Sequence, residues 1–314
     1  MRVLRRFAVI SVLLASVMVS SAAANAAPRE TAPPGVGHDI SHVSMSTRGH
    51  GPQGVPAAAR TSAGKKTTSN GINYHGGPVL NAGVHAYLIW YGNWSGNTAS
   101  TILPTLVTGM SGSPYYNINT TYYDGANRRV PNSVTLSGQT TDAYSQGSTN
   151  LSDSAINAVV ASAISSNRLP SDPAGVYFVL TSVDVTKSGF LTSYCGWHTH
   201  ATIGGADIKY AFVGDPGSNG ACSMQTSVSP NNNVGADAMA SIVAHELEEA
   251  ATDPDLNAWW DVRGYENADK CAWTFGATYT VGNGSTANMA LGGLNFLIQR
   301  NWVNASGGYC ALSY

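Results

Sequence analysis

His245, Glu246 and Glu249 stand in the order H-E-x-x-E within the run VAHELEEAATDP. An imidazole and a carboxylate four residues apart lie on one side of a helix, where both can reach the same cation. The spacing is that of the zinc-peptidase H-E-x-x-H helix with glutamate in place of the second histidine. In that helix the outer two residues bind metal and the glutamate between them is the general base. His245 and Glu249 are therefore candidate ligands and Glu246 a candidate base. Downstream, E-x-x-D-x-C places Glu266 and Asp269 just before Cys271. Glu266 is the first choice for a third ligand and Asp269 the second. One histidine and two carboxylates make a hard, anionic site that suits zinc and tolerates other divalent ions. Two other readings stand beside it: a structural calcium held by Glu249, Asp253, Glu266 and Asp269, and a solvated acidic face with no metal.

The acidic crowding itself calls for a cation or a proton-transfer task. Eight of the 18 acidic residues fall between Glu246 and Asp269, and only Arg263 opposes them there. A second candidate is the run Cys195-Gly196-Trp197-His198-Thr199-His200. If extended, it turns His198 and His200 to the same face. His198, tethered through Cys195, is the candidate to steady an oxyanion. The alternative is a disulfide-anchored turn with exposed histidines. His75 reads as a turn cap, and the pair Trp259-Trp260 as core or as a platform for sugar rings or peptide side chains.

These residues need a helix beneath them. No Pro or Gly interrupts 236–253, Pro254 stops the helix, and Met239, Val243, Leu247 and Ala250 form its core stripe. On that wheel Asp253 continues the His245–Glu249 side, Glu248 points to solvent and Asp255 is a bystander. Around the helix, 84–91 (VHAYLIWY) reads as a buried strand, 133–140 as an exposed one, and 176–181 and 210–213 as buried strands. Helices are expected over 98–110, kinked or started by Pro104, and over 152–166. The mixture predicts an α+β fold, one domain on a single mixed sheet with a zincin-like helix.

Composition places this domain outside the cell. Residues 1–26 carry three arginines, then an apolar run, then Ala24-Asn25-Ala26, the plan of a signal peptide. Residues 27–72 are rich in Pro, Gly, Ala, Ser and Thr and read as a disordered linker or propeptide. The domain occupies 73–314. Its cysteines, Cys195, Cys222, Cys271 and Cys310, are even in number and imply two disulfides in an exported chain. Three connectivities are open, and chain proximity favours Cys195–Cys222 with Cys271–Cys310. Charged residues are 11% of the chain and the net charge is −2, which argues against a nucleic-acid partner. The apolar run near the start is too short for stable membrane insertion.

Several motifs occur together and in order: Tyr74-His75-Gly76-Gly77-Pro78-Val79-Leu80, Leu88-Ile89-Trp90-Tyr91-Gly92, Cys195-Gly196-Trp197-His198, Val243-Ala244-His245-Glu246, Thr252-Asp253-Pro254, Asn257-Ala258-Trp259, Glu266-x-x-Asp269-x-Cys271 and Tyr309-Cys310. In these the chain resembles the Exordium, or phosphate-induced protein 1, family from Asn73 to Cys310. The resemblance implies a secreted, cell-wall-associated protein of a kind linked in plants to growth, and places His245, Glu246, Glu249, Glu266 and Asp269 at family motif positions. Two functions are carried forward. One is a metal-dependent, peptidase-like hydrolase, of the zinc metallopeptidase kind. The other is a non-catalytic wall or matrix protein that binds a peptide or cell-wall polymer, with a structural calcium or no metal.

Overall fold

Aromatic and branched side chains fill the run 84–91, and it forms a strand buried along nearly its whole length. A computed structural model describes residues 43–46 and 71–314. The signal-peptide segment lies outside the described residues, as does most of the proposed linker. Among the described residues seven strands precede the helix that carries His245, Glu246 and Glu249: β1 (Val43–Ser46), β2 (Asn73–Tyr74), β3 (Val84–Tyr91), β4 (Val134–Asp142), β5 (Gly175–Thr181), β6 (Tyr194–Ile203) and β7 (Ala206–Gly214). Six of them make one mixed sheet in the order β1-β6-β7-β5-β3-β4. The pairings β7–β5, β5–β3 and β3–β4 are parallel, while β6 runs antiparallel to both β7 and β1. β5 is buried at every position, as expected for a parallel strand covered on both faces. β4, at one edge, alternates partly buried and exposed residues between its buried ends. Gly204 and Gly205 join β6 to β7 with φ of +61° and +87°, the two left-handed positions that a tight hairpin turn demands. The fold is α+β, with one mixed sheet.

Three helices pack on this sheet: α1 (Ala99–Met110), α2 (Asp153–Ser165) and α3 (Val234–Thr252). Pro104 is accommodated inside α1. Asn157 of α2 donates to the Tyr210 hydroxyl, so α2 lies on the sheet face that Tyr210 presents. Gly196 and His198 of β6 face the other way, towards α3.

α3 begins two residues before the interval free of Pro and Gly. Asn233 caps it by accepting from the Ala236 amide at 3.1 Å, and its side-chain amide donates to Asn97 and Thr98 at the start of α1. Gly235 fits inside the helix because a β-carbon there would lie 1.9 Å from an Asp215 carboxylate oxygen. Replacing Asn233 by Ala is expected to cost about 1–2 kcal/mol in urea unfolding, since a cap and a link between helices go together. A loss below about 0.5 kcal/mol would mean that packing alone sets the helix start.

Every residue of α3 from Gly235 to Thr252 is buried. This corrects the placement of Glu248 in solvent, for it is 0% exposed. A helical wheel orders faces relative to one another but does not reveal how many are covered. Here the sheet covers one side of α3, and α1, the turn Tyr116–Thr121 and the C-terminal segments cover the others. Burial pushes the Glu248 carboxyl well up, so the acid stays neutral beside Tyr115 and Asn119.

Beyond α3 the chain folds back. Trp259-Trp260 (β8) pairs with β2, and Asp269–Cys271 makes one short 3-10 turn. The remaining strands are short antiparallel pairs: β9 (Tyr279–Thr280) with β10 (Thr286–Ala287), β11 (Met289–Leu291) with β12 (Leu294–Phe296), and β13 (Asn301–Val303) with β14 (Tyr309–Ala311). The disulfides are Cys195–Cys222 and Cys271–Cys310, the pairing that chain proximity favours. β1 lies within the tract read as a disordered linker or propeptide. Those four residues pair with the open edge of β6, which offers backbone partners that composition does not reveal.

Candidate metal centre

Three segments bring their side chains to one point inside the protein. α3 supplies His245, Glu246 and Glu249, β6 supplies His198, and the returning loop supplies Glu266 and Asp269. Each is placed for a local reason. Helical periodicity sets the α3 group. The alternation of β6 turns Gly196 and His198 towards α3, and the absence of a side chain at Gly196 allows close approach. A β-carbon there would lie 2.6 Å from Ile242 and 2.8 Å from the Glu246 carboxylate. Cys271, held to Cys310, anchors the loop just past Asp269.

Glu249 is the hub. Its Oε1 lies 3.0 Å from His245 Nε2 and accepts the Asp269 amide at 3.0 Å. Its Oε2 lies 3.6 Å from His198 Nδ1. The same His198 nitrogen is 3.5 Å from Glu246 Oε2, and His198 Nε2 is 3.8 Å from Glu266 Oε1. Asp269 Oδ1 is 3.5 Å from His245 Nε2. Two sets of potential ligands result, His245–Glu249–Asp269 and His198–Glu246–Glu249, each with its ligand atoms within 4.8 Å of one another. Asp269, the second choice from sequence, therefore joins His245 and Glu249, while Glu266 lies on the far side of His198.

The electrostatics are those of an uncompensated cluster. No cluster residue is more than 5% exposed. Both nitrogens of His198 and His245 and both carboxylate oxygens of Glu246 and Glu266 are buried without a hydrogen-bond partner. Among the described residues, the ion pairs of these carboxylates go only to the cluster's own histidines. Protons then do the neutralising. Burial works against a charged His198, but Glu246 and Glu249 outweigh it and raise its pKa to about 10. Burial likewise opposes the Glu249 charge, yet the two histidines hold its pKa down to about 2. Burial raises Glu246 to about 7, and burial with the Glu249 charge raises Asp269 to about 6. Glu266 is driven well up by burial and by the charges of Glu249, Asp253 and Asp269. Buried polar groups of metal-ligating type that are aimed at one another, with no Lys or Arg paired to them among the described residues, fit a divalent ion.

The other candidates fall elsewhere. Asp253 caps the end of α3, where its Oδ1 accepts the amides of Asn257 and Ala258 at 2.6 Å each. His200 belongs to a separate network with Asp207, Asp255 and the buried Lys209. His75 stacks on Trp260 with ring centres 3.7 Å apart. Trp259 is core, its indole donating to the Tyr123 carbonyl at 2.8 Å. Sequence reasoning missed Gly196 as the residue that lets β6 approach Glu246. The signal available was its position between Cys195 and His198 on one strand.

The phosphate-induced protein 1 conserved region matches residues 72–292. Exordium-like 5 of Arabidopsis thaliana is 32% identical over 272 residues, which is 74% of this chain and 75% of that protein. Exordium-like 3 of the same plant is 31% identical over 250 residues, 70% of this chain and 73% of that protein. Phosphate-induced 1 of Nicotiana tabacum is 25% identical over 217 residues, 60% and 67% of the two chains. No solved structure matches the chain. Among the described residues no helix is long and apolar enough to cross a membrane.

Proposed function

This chain belongs to the phosphate-induced protein 1 family, and from that premise we propose that it is an exported protein whose buried divalent-metal centre serves hydrolysis of a peptide-like chain. The observation that carries the reading is the convergence of unpartnered imidazole nitrogens and carboxylate oxygens on Glu249. His245, Glu249 and Asp269 would hold the ion. The His245 imidazole in that ligand set favours zinc over calcium, which prefers oxygen ligands. A divalent ion there would supply Lewis acidity towards a carbonyl and towards water. Glu246, which burial makes a stronger base than an ordinary glutamate, would take the proton. A protonated His198, 3.5 Å from Glu246, would hold that carboxylate in place and steady negative charge beside it. Export rests on the arginines, apolar run and Ala-x-Ala site of the first residues.

The burial of the cluster favours a second reading, in which the ion is structural and the protein a non-catalytic wall-associated binder of peptide or polymer. Metal analysis and one substitution separate the two. The purified protein is expected to carry zinc in stoichiometric amount and to cleave members of an extended-peptide library. Glu246→Gln is expected to keep the metal and lose about 10²–10⁴ in rate. A folded protein without metal sinks the centre. Metal with no cleavage at any pH leaves the structural reading.

A further inference from the structure

β1 is four residues long, and in the sheet it pairs with β6 alone. Its register is antiparallel, with Val43 opposite His198, Trp197 opposite Ser44 and Gly196 opposite Met45. It therefore runs along the one edge of the sheet that borders the metal-type cluster. Gly196 and His198 are the same residues that touch Glu246. The contacts that hold β1 resemble those of a bound peptide. Met45 is fully buried and shares a cavity with Ser241, Ile242, Trp273, Phe275 and Gln299. Gln299 Nε2 reaches the Met45 sulfur at 3.4 Å, and Trp273 Nε1 donates to the Ser46 carbonyl at 3.0 Å. Backbone pairing plus one apolar side chain in a recess is how sheet edges capture extended peptides. Residues 47–72, with Arg48, Arg60, Lys65 and Lys66, connect β1 to β2 and carry several trypsin-type cleavage points.

We propose that the outer edge of β6 and the Met45 recess form a binding site for an extended peptide with an apolar side chain opposite Gly196, and that Val43–Ser46 is its built-in occupant. Covalent linkage to β2 keeps this occupant in place, because it makes rebinding of β1 an intramolecular event. Cutting the tether turns a resident strand into a ligand that dilution removes. A peptide that replaced it would pass His198 within reach of Glu246, so the site also names the substrate class for the hydrolysis proposed above. That last step rests on the metal-centre reading, whereas peptide capture does not, and the two fail separately.

The test uses the full chain and a fluorescein-labelled peptide of residues 41–48, with fluorescence anisotropy in buffer containing EDTA. After limited trypsin cleavage between Arg48 and Lys66, the labelled peptide is expected to bind at least about tenfold more tightly than to uncut protein. A peptide carrying Met45→Asp is expected not to bind. Uncut full-length protein with Met45→Asp is expected to bind the wild-type peptide, which gives a route that needs no cleavage. The proposal is overturned if neither opened form gains peptide binding, if cut and uncut wild-type protein bind alike, or if the N-terminal fragment stays attached to the cut protein at nanomolar dilution. Loss of folding in both opened forms also overturns it, because β1 would then be an integral strand.

Discussion

Alanine at position 249 is expected to abolish metal binding and to lower the unfolding free energy by about 3–5 kcal/mol. The size of the effect follows from the position of Glu249 as hub. Its two oxygens lie 3.0 Å from His245 and 3.6 Å from His198, and one of them also accepts the Asp269 amide. Removing the carboxylate leaves two imidazoles, both 0–1% exposed, without the charge that holds their protons. It also removes the one group common to both ligand sets. Glu249→Gln separates the charge from the hydrogen bond, since its amide oxygen still accepts from Asp269 while the negative charge is gone. It is expected to lose the metal but less stability than the alanine variant. Metal content and denaturant unfolding read the two effects independently. Wild-type metal content and stability in Glu249→Ala would refute the centre.

The second large effect is expected at Cys271–Cys310. Serine at both positions removes a link between residues 39 apart in sequence, which the chain-entropy argument values at about 4 kcal/mol. The melting temperature is expected to fall by about 10 °C. Metal affinity is expected to fall with it, because Cys271 fixes the loop two residues after Asp269, whose amide and carboxylate meet Glu249 and His245. Serine at Cys195 and Cys222 is expected to cost similar stability, and it loosens His198 rather than the loop. Calorimetry together with metal titration of both double variants decides this. A lower melting temperature with unchanged metal affinity in the first would show that the loop holds Asp269 without the clip.

Features with a local cause were legible in the sequence. The interval free of Pro and Gly, the stripe of Met239, Val243, Leu247 and Ala250 and the stop at Pro254 identified α3, because a helix depends on contacts three and four residues apart. The same spacing put His245 beside Glu249. Alternation and β-branched content located β3, β4 and β5, and short chain separation sufficed for both disulfides. The ordered motifs from Tyr74 to Cys310 were enough to place the chain in its family.

Tertiary structure decided what depends on segments far apart in the chain. The H-E-x-x-E helix was determined by sequence, but its surroundings were not. Glu248 reads as a solvent residue on the wheel and is buried because other segments cover the remaining faces of α3. Whether Glu266 or Asp269 stands beside His245 depends on the backbone dihedrals of an irregular loop, which no periodicity encodes, and the fold puts Asp269 there. His198 reaches Glu246 because Gly196 permits close approach of strand and helix. β1 is ordered because the edge of β6 offers it partners more than a hundred residues away. Local hydrogen bonding writes the elements into the chain. Burial and charge compensation arise only when distant elements close on one another.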